Sequence, residues 1–84
     1  MYKLVFKKSV KKDIEKIPEK DLERIALDIK NLKIIPLPRG VKKIKKKGYY
    51  RIRQGDFRIG YTISHSQKEI TIVYINRRSK STYC

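Results

Sequence analysis

Apolar residues in the first part of the chain pass from a short extended run into helical spacing. The run YKLVF at residues 2–6 is typical of a strand. Apolar residues then recur every three or four positions on both sides of Pro18: Val10, Ile14 and Ile17 before it, and Leu22, Ile25, Ala26, Ile29 and Leu32 after it. Because that period places them along one side of a helix, the pattern predicts a strand followed by two amphipathic helices that the proline separates.

The second part of the chain returns to strand-like alternation after a segment rich in proline, glycine and lysine. Residues 34–48 include Pro36, Pro38 and Gly40 and are therefore predicted to be a connector without regular helix. Strands are predicted beyond it, followed by a basic tail: 49–54, 57–63 and 70–76, then 77–84. The predicted fold is a single α+β domain over residues 1–84, in the order β-α-α-β-β-β, with a two-helix hairpin on one face of a mainly antiparallel sheet.

The segment GYYRIRQGDFRIGY at residues 48–61 specifies its own strand register. A two-residue turn at Gly55-Asp56 pairs Arg53 with Arg58 and Arg51 with Gly60. One face of the hairpin then carries the three arginines and the glycine, and the other carries apolar residues that suit a core: Tyr50, Ile52, Ile59 and Tyr61. A slip of one residue on either strand would bring charges into the core, so the apolar pattern selects the register that clusters the arginines.

Clustered arginines need an explanation, because like charges opposed across two strands destabilise a hairpin by about 0.2–1 kcal/mol per pair. A solvated sheet face would explain a single arginine. Three of them beside Gly60, which is expected to leave a hollow that a bulky anion can enter, favour a phosphate-binding site.

The charge of the chain is strongly positive and unevenly distributed. Lysine and arginine number 23 against eight acids, which gives a formal net charge of +15. Residues 1–28 hold eight basic and six acidic residues (+2), whereas residues 29–84 hold 15 basic and two acidic residues (+13). Such an excess attracts a polyanion, and RNA is the predicted partner. A run of lysines is predicted to be a flexible basic arm that binds the RNA backbone: Lys42, Lys43, Lys45, Lys46 and Lys47.

The sequence offers little for other kinds of chemistry. His65 lies in the SHSQKE turn, at the end of its strand away from Gly55-Asp56, and is interpreted as an exposed turn residue instead of a general base. Cys84 is the only cysteine, which suits a reducing cytoplasm, and neither a metal site nor a cofactor is predicted. A membrane span is not expected, because no stretch of about 18 apolar residues occurs.

The hairpin motif YYRIRQGDFRIGY is similar to a pattern that recurs in the RelE/ParE superfamily of toxins from type II toxin–antitoxin modules. The resemblance extends over essentially the whole chain, including the helices separated at Ile17-Pro18 and the proline-rich connector. It implies a RelE-like toxin that enters the ribosomal A site and cleaves mRNA there, without a metal, by attack of a ribose 2′-OH on the adjacent phosphate. It also implies a cytoplasmic protein with a cognate antitoxin as its partner.

The resemblance also assigns roles to residues of the hairpin and the tail. Arg51 and Arg53 occupy positions at which RelE has two lysines, and Arg58 matches the family arginine that holds the scissile phosphate. In the tail, either Arg77 or Arg78 matches an arginine that stabilises the leaving group, and Tyr83 matches a tyrosine that packs on the substrate base. Because arginine stays protonated at neutral pH, the cluster is suited to stabilise a dianionic phosphorane, and the general base is left unassigned.

Two other functions are compatible with the same residues. A ParE-like toxin would inhibit DNA gyrase by binding and would need no cleavage chemistry, although its scaffold carries similar arginines. A basic RNA-binding module without toxicity would use the same charges for non-specific contacts. The basic hairpin together with the tail arginines and Tyr83 favours the RelE-like nuclease.

Overall fold

The computed structural model describes residues 1–44 and 48–77. Within them two helices and five strands follow one another along the chain: β1 (Lys3–Phe6), α1 (Lys8–Glu15), α2 (Glu19–Asn31), β2 (Lys42–Ile44), β3 (Tyr49–Gln54), β4 (Phe57–Ser64) and β5 (Glu69–Arg77). The α+β class and the succession of one strand, two helices and then strands are confirmed. The helices form on either side of Pro18, whose fixed φ and missing N–H suit the start of α2.

The five strands form one sheet in the order β1-β5-β4-β3-β2. Strands β2, β3, β4 and β5 pair antiparallel with their neighbours, and only β1 runs parallel to its partner, β5. The sheet is therefore mainly antiparallel, as predicted. The chain returns from β1 through both helices before it builds the remaining strands, and this leaves β1 at one edge.

The core lies between the helices and one face of the sheet. Helix α1 packs on β5 and helix α2 on β3. Their apolar stripes bury five side chains, Val10, Ile17, Ile25, Ile29 and Leu32, against seven from the sheet, Ile52, Phe57, Ile59, Tyr61, Ile70, Ile72 and Ile75. The face of the hairpin that was predicted to suit a core thus covers the helices, and the arginine positions of that hairpin lie on the other face of the sheet.

The connector contains a strand that the sequence does not reveal. Lys42, Lys43 and Ile44 form β2, which pairs with Arg51, Tyr50 and Tyr49. Three residues are too few to show alternation, and two of them are lysines. The strand exists because β3 supplies hydrogen-bonding partners for its backbone, which is a tertiary effect.

Tyr61 attaches the proline-rich part of the connector to the sheet. Its ring is fully buried, and its hydroxyl donates a hydrogen bond to the carbonyl of Pro36 over 2.7 Å. Burial, together with neighbouring Tyr50, raises the pKa of Tyr61 to about 12, so the hydroxyl stays a neutral donor. The hydrogen bond thereby attaches the connector to β4, the strand that carries Tyr61.

Candidate functional site

The predicted register of the β3–β4 hairpin is confirmed at every position that the argument used. Arg53 pairs with Arg58, Arg51 with Gly60, and Ile52 with Ile59. The arginines therefore project from the outer face, which we define as the face of the sheet opposite the two helices. Arg51 and Arg58 are partly buried there, whereas Arg53 is exposed.

Strand pairing arranges the outer face in two rows across the sheet. The first row runs Lys42, Arg51, Gly60, Tyr74, and the second runs Arg53, Arg58, Asn76. Residues directly opposed across strands have Cβ atoms about 5 Å apart, so these side chains are neighbours. The rows bring together the three predicted hairpin arginines and add Lys42, and neither row includes a carboxylate. We call this set the cationic patch: Lys42, Arg51, Arg53 and Arg58.

The hollow expected at Gly60 is not open. The aromatic ring of Tyr74 occupies it, because a Cβ placed on Gly60 would lie only 2.1 Å from Cε2 of that ring. The ring also meets Tyr49 edge to face, with centroids 5.5 Å apart. The space beside Gly60 is therefore filled by the ring of Tyr74 and is not available to an anion.

The hydroxyl of Tyr74 lies among the arginines. The guanidinium of Arg51 lies within reach to donate a hydrogen bond to it, and the charges of both Arg51 and Arg58 act on it. Burial raises the pKa of Tyr74 and Tyr49 raises it further, whereas the two arginines and the hydrogen bond act in the opposite direction. The hydroxyl is therefore neutral at physiological pH. Sequence reasoning assigned a role in the site to Tyr83 and none to Tyr74.

Of the predicted tail residues, Arg77 lies within the described part of the chain. Arg77 pairs with Phe57 on the helix-covered face, and its guanidinium lies 5.9 Å from the centroid of the Phe57 ring. The structure thus places Arg77 on the face away from Arg58, which pairs with Asn76. Arg78 and Tyr83 lie outside the described residues.

The prediction of a flexible lysine arm is wrong for Lys42 and Lys43, which belong to strand β2 and pair with β3. Lys43 pairs with Tyr50, so it lies on the helix side of β2, whereas Lys42 pairs with Arg51 on the outer face. Lys45, Lys46 and Lys47 lie outside the described residues.

A cavity of about 300 Å³ adjoins the cationic patch at the edge of the sheet. Its lining joins Arg39 and Gly40 of the connector to Lys42, Arg51 and Arg53. Arg39 was missed by sequence reasoning, because it stands alone between a proline and a glycine and shows no periodicity. The turn that follows Pro38, in which the N–H of Val41 bonds to the Pro38 carbonyl, carries Arg39 at this edge.

His65 has a structural contact at the opposite end of β4. Its Nδ1 lies 3.0 Å from the hydroxyl of Tyr2, and the two rings meet edge to face. The contact joins the start of the chain to the β4–β5 turn, and His65 is exposed there, as predicted.

Among residues 1–44 and 48–77, no three His, Cys, Asp or Glu side chains are grouped so that they could hold a metal ion. No helix in the same two ranges is long and apolar enough to cross a membrane.

Comparison with known proteins finds a matching family and a curated relative, and both are toxins. The family described as ParE toxin of type II toxin–antitoxin system, parDE, matches residues 4–82. A curated relative from Methanocaldococcus jannaschii, named as toxin RelE1, is 36% identical over 75 residues, which cover 84% of this chain and 83% of the relative.

Several solved structures of similar proteins are complexes of a toxin with its antitoxin. The archaeal RelE–RelB complex from Pyrococcus horikoshii superposes with a TM-score of 0.84 at 28% identity, covering 94% of this chain and 97% of that one. The RelB–RelE complex from Methanococcus jannaschii gives a TM-score of 0.72 at 32% identity, covering 94% of each chain.

Proposed function

The chain belongs to the ParE toxin family of type II toxin–antitoxin systems, within the RelE/ParE superfamily, and is a RelE-like toxin; from this premise we propose that it is a ribosome-dependent mRNA endoribonuclease. The observation that carries the proposal is the cationic patch, in which guanidinium groups of two adjacent strands share the outer face with a neutral tyrosine hydroxyl. The substrate is mRNA in the ribosomal A site, and the site of action is the cytoplasm.

The proposed reaction is a transfer within the RNA strand. The 2′-oxygen of a ribose forms a bond to the adjacent phosphorus, the bond from phosphorus to the 5′-oxygen breaks, and a cyclic phosphate and a 5′-hydroxyl result. A proton leaves the 2′-OH and a proton is added to the 5′-oxygen. Charge accumulates on the phosphorane oxygens, and Arg51, Arg53 and Arg58 are positioned to stabilise it.

The tail supplies the remaining proposed groups. Because Arg77 lies against Phe57 on the other face of the sheet, we assign the role of leaving-group arginine to Arg78. Tyr83 is proposed to pack on a substrate base. Lys43, Lys45, Lys46 and Lys47 are proposed to bind RNA backbone, in which case their contribution decreases steeply as salt increases.

Cleavage of a ribosome-bound message tests the proposal. Purified ribosomes carrying a short mRNA are mixed with the toxin, and primer extension maps the 5′ ends of the downstream fragments. The wild type is expected to cut within codons, and Arg58→Ala is expected to lower the rate at least about 100-fold, as removal of one transition-state hydrogen-bond donor typically does. Arg24→Ala is the matched control, because Arg24 is exposed on α2 and far in the chain from the hairpin. An intact message after incubation with wild type would refute the proposal.

A second function is favoured by the family match itself, which is to ParE toxins. A ParE-like toxin would inhibit DNA gyrase by contact, without cleaving RNA. Supercoiling by purified gyrase in the presence of the wild-type chain separates the two functions. Inhibition of supercoiling together with intact mRNA would replace the nuclease proposal with the gyrase one.

The antitoxin partner is proposed from the neighbours, which are solved in complex with RelB. A groove of about 440 Å³ lies where both helices meet the sheet, lined almost entirely by apolar side chains such as Phe6, Ile14 and Ile29. Lys30 and Lys33 border it. We propose that an amphipathic segment of the antitoxin occupies this groove, with its acids beside those lysines.

A further inference from the structure

Tyr74 extends from β5 over Gly60 of β4, in the row of the outer face that also contains Arg51. Its ring lies over the backbone of Gly60. Gly60 pairs with Tyr74 on one side and with Arg51 on the other, so the ring points across β4 towards Arg51. Any side chain at position 60 would occupy the space of the ring, since even a Cβ would overlap it. Glycine at this position is therefore what allows Tyr74 to reach Arg51 across β4.

We propose that Tyr74 is a positioning residue for the phosphate site: its ring is held between Gly60 and Tyr49, and its hydroxyl accepts a hydrogen bond from Arg51 and holds that guanidinium beside Arg58. The inference rests on the proposed function, because the anion that the two guanidinium groups bind together is the RNA phosphate. Tyr74 acts through Arg51 and is not itself assigned a proton transfer.

Arg51 needs such a partner for two physical reasons. A long, flexible side chain loses conformational entropy when it binds, and a hydrogen bond formed in the free protein removes part of that loss. Repulsion from Arg53 and Arg58 would otherwise favour conformers that direct the guanidinium away from its neighbours. A neutral acceptor on a rigid ring opposes this repulsion without neutralising the charge that the phosphate must meet.

Replacement of Tyr74 by phenylalanine tests the hydroxyl alone, because the ring that fills the Gly60 position remains. Tyr74→Phe is expected to lower the single-turnover rate of mRNA cleavage about tenfold, the size of one lost hydrogen bond to a charged group. The thermal midpoint should stay close to that of wild type. Tyr50→Phe is the matched control, because Tyr50 lies on the helix side of β3, next to Arg51 in the chain, and the variant is expected to cleave at the wild-type rate.

A double-mutant cycle separates positioning from a merely structural role. In an Arg51→Ala background the Tyr74→Phe substitution is expected to have no further effect, because the group through which it acts is gone. If Tyr74→Phe costs the same factor with and without Arg51, or costs nothing in the wild-type background, the proposal is overturned.

The same cycle is measured on binding, with an RNA oligonucleotide that carries 2′-O-methyl groups and so resists cleavage. Fluorescence anisotropy is expected to show an about tenfold weaker affinity for Tyr74→Phe and for Arg51→Ala, and no further loss for the double variant. If wild type fails to cleave mRNA, the nuclease proposal fails, while the binding cycle still decides whether Tyr74 positions Arg51. Additive losses of affinity would refute the positioning role by itself.

Discussion

Arg53 and Arg58 oppose each other directly across the β3–β4 hairpin, and this pair tests whether the outer face is organised for binding at a cost in stability. The perturbation is Arg53→Thr. Arg53 is exposed, so the substitution removes a charge without removing core packing. Threonine suits a strand, and the pleat of the sheet is therefore retained. The variant is expected to be more stable than wild type and to cleave mRNA more slowly.

The magnitude follows from the strand register. A directly opposed pair of like charges destabilises a sheet by about 0.2–1 kcal/mol. Arg51, two residues away on the same face, adds a weaker repulsion. We therefore expect Arg53→Thr to raise the free energy of unfolding by about 0.5 kcal/mol, which for a domain of this size raises the thermal midpoint by about 2–4 °C.

Thermal unfolding followed by circular dichroism, at low salt and at 1 M salt, measures the effect and its cause. At 1 M salt the Debye length is about 3 Å, so the electrostatic part of the gain should vanish and only the strand preference of threonine should remain. Lys3→Thr is the matched control, because Lys3 lies opposite Glu69 on the same sheet and its removal should lower the midpoint or leave it unchanged. A gain for Arg53→Thr that is absent at low salt, or equally large at both salt concentrations, would refute the reasoning.

Three further outcomes are expected from other parts of the structure. Burial raises the pKa of Tyr61 from 10.0 to about 12, so the tyrosine of the unfolded chain ionises first between these pH values. Tyr61 should therefore lower the free energy of unfolding of wild type by up to about 1.4 kcal/mol per pH unit in this range, and the slope of Tyr61→Phe should be shallower by that amount. Denaturant titrations measure both slopes, and equal slopes would contradict this. Arg39→Ala should weaken RNA binding and reduce the salt slope of log affinity by about 1, measured by anisotropy, and an unchanged slope would remove Arg39 from the RNA path. Ala26→Lys places a charge in the apolar groove and should weaken antitoxin binding in calorimetry while cleavage stays normal; full affinity would place the antitoxin elsewhere.

The sequence predicted those parts of the fold in which the apolar pattern was compatible with only one arrangement of the strands or helices. The register of β3 and β4 is the clearest case, because a slip of one residue would have exchanged Ile52 and Ile59 with charged residues. β2 and Arg39 were not predictable in this way. Both depend on the edge of β3, which supplies a partner for a short strand and one side of a cavity, and neither has a periodic pattern of its own.

The placement of the last strand depends on an irregularity that strict alternation conceals. The pairing of β5 with β4 shifts between Gly60 and Tyr61, so that Gly60 faces Tyr74 while Tyr61 faces Ile72, and Val73 is an extra residue. With regular alternation from Ile70 and Ile72, position 74 would point into the core. The bulge instead returns Ile75 to the core and places Tyr74 on the outer face.

The same bulge determines which residues at the end of β5 can serve the cationic patch. Asn76 pairs with Arg58 on the outer face, and Arg77 consequently falls beside Phe57 on the helix side. Without the extra residue, Arg77 would share a face with Arg58 and Tyr74 would not. One inserted residue thus exchanges an arginine for a tyrosine beside the proposed phosphate site. It adds a neutral acceptor to a face that carries three arginines, and such an acceptor can hold a guanidinium in place before the proposed RNA substrate binds.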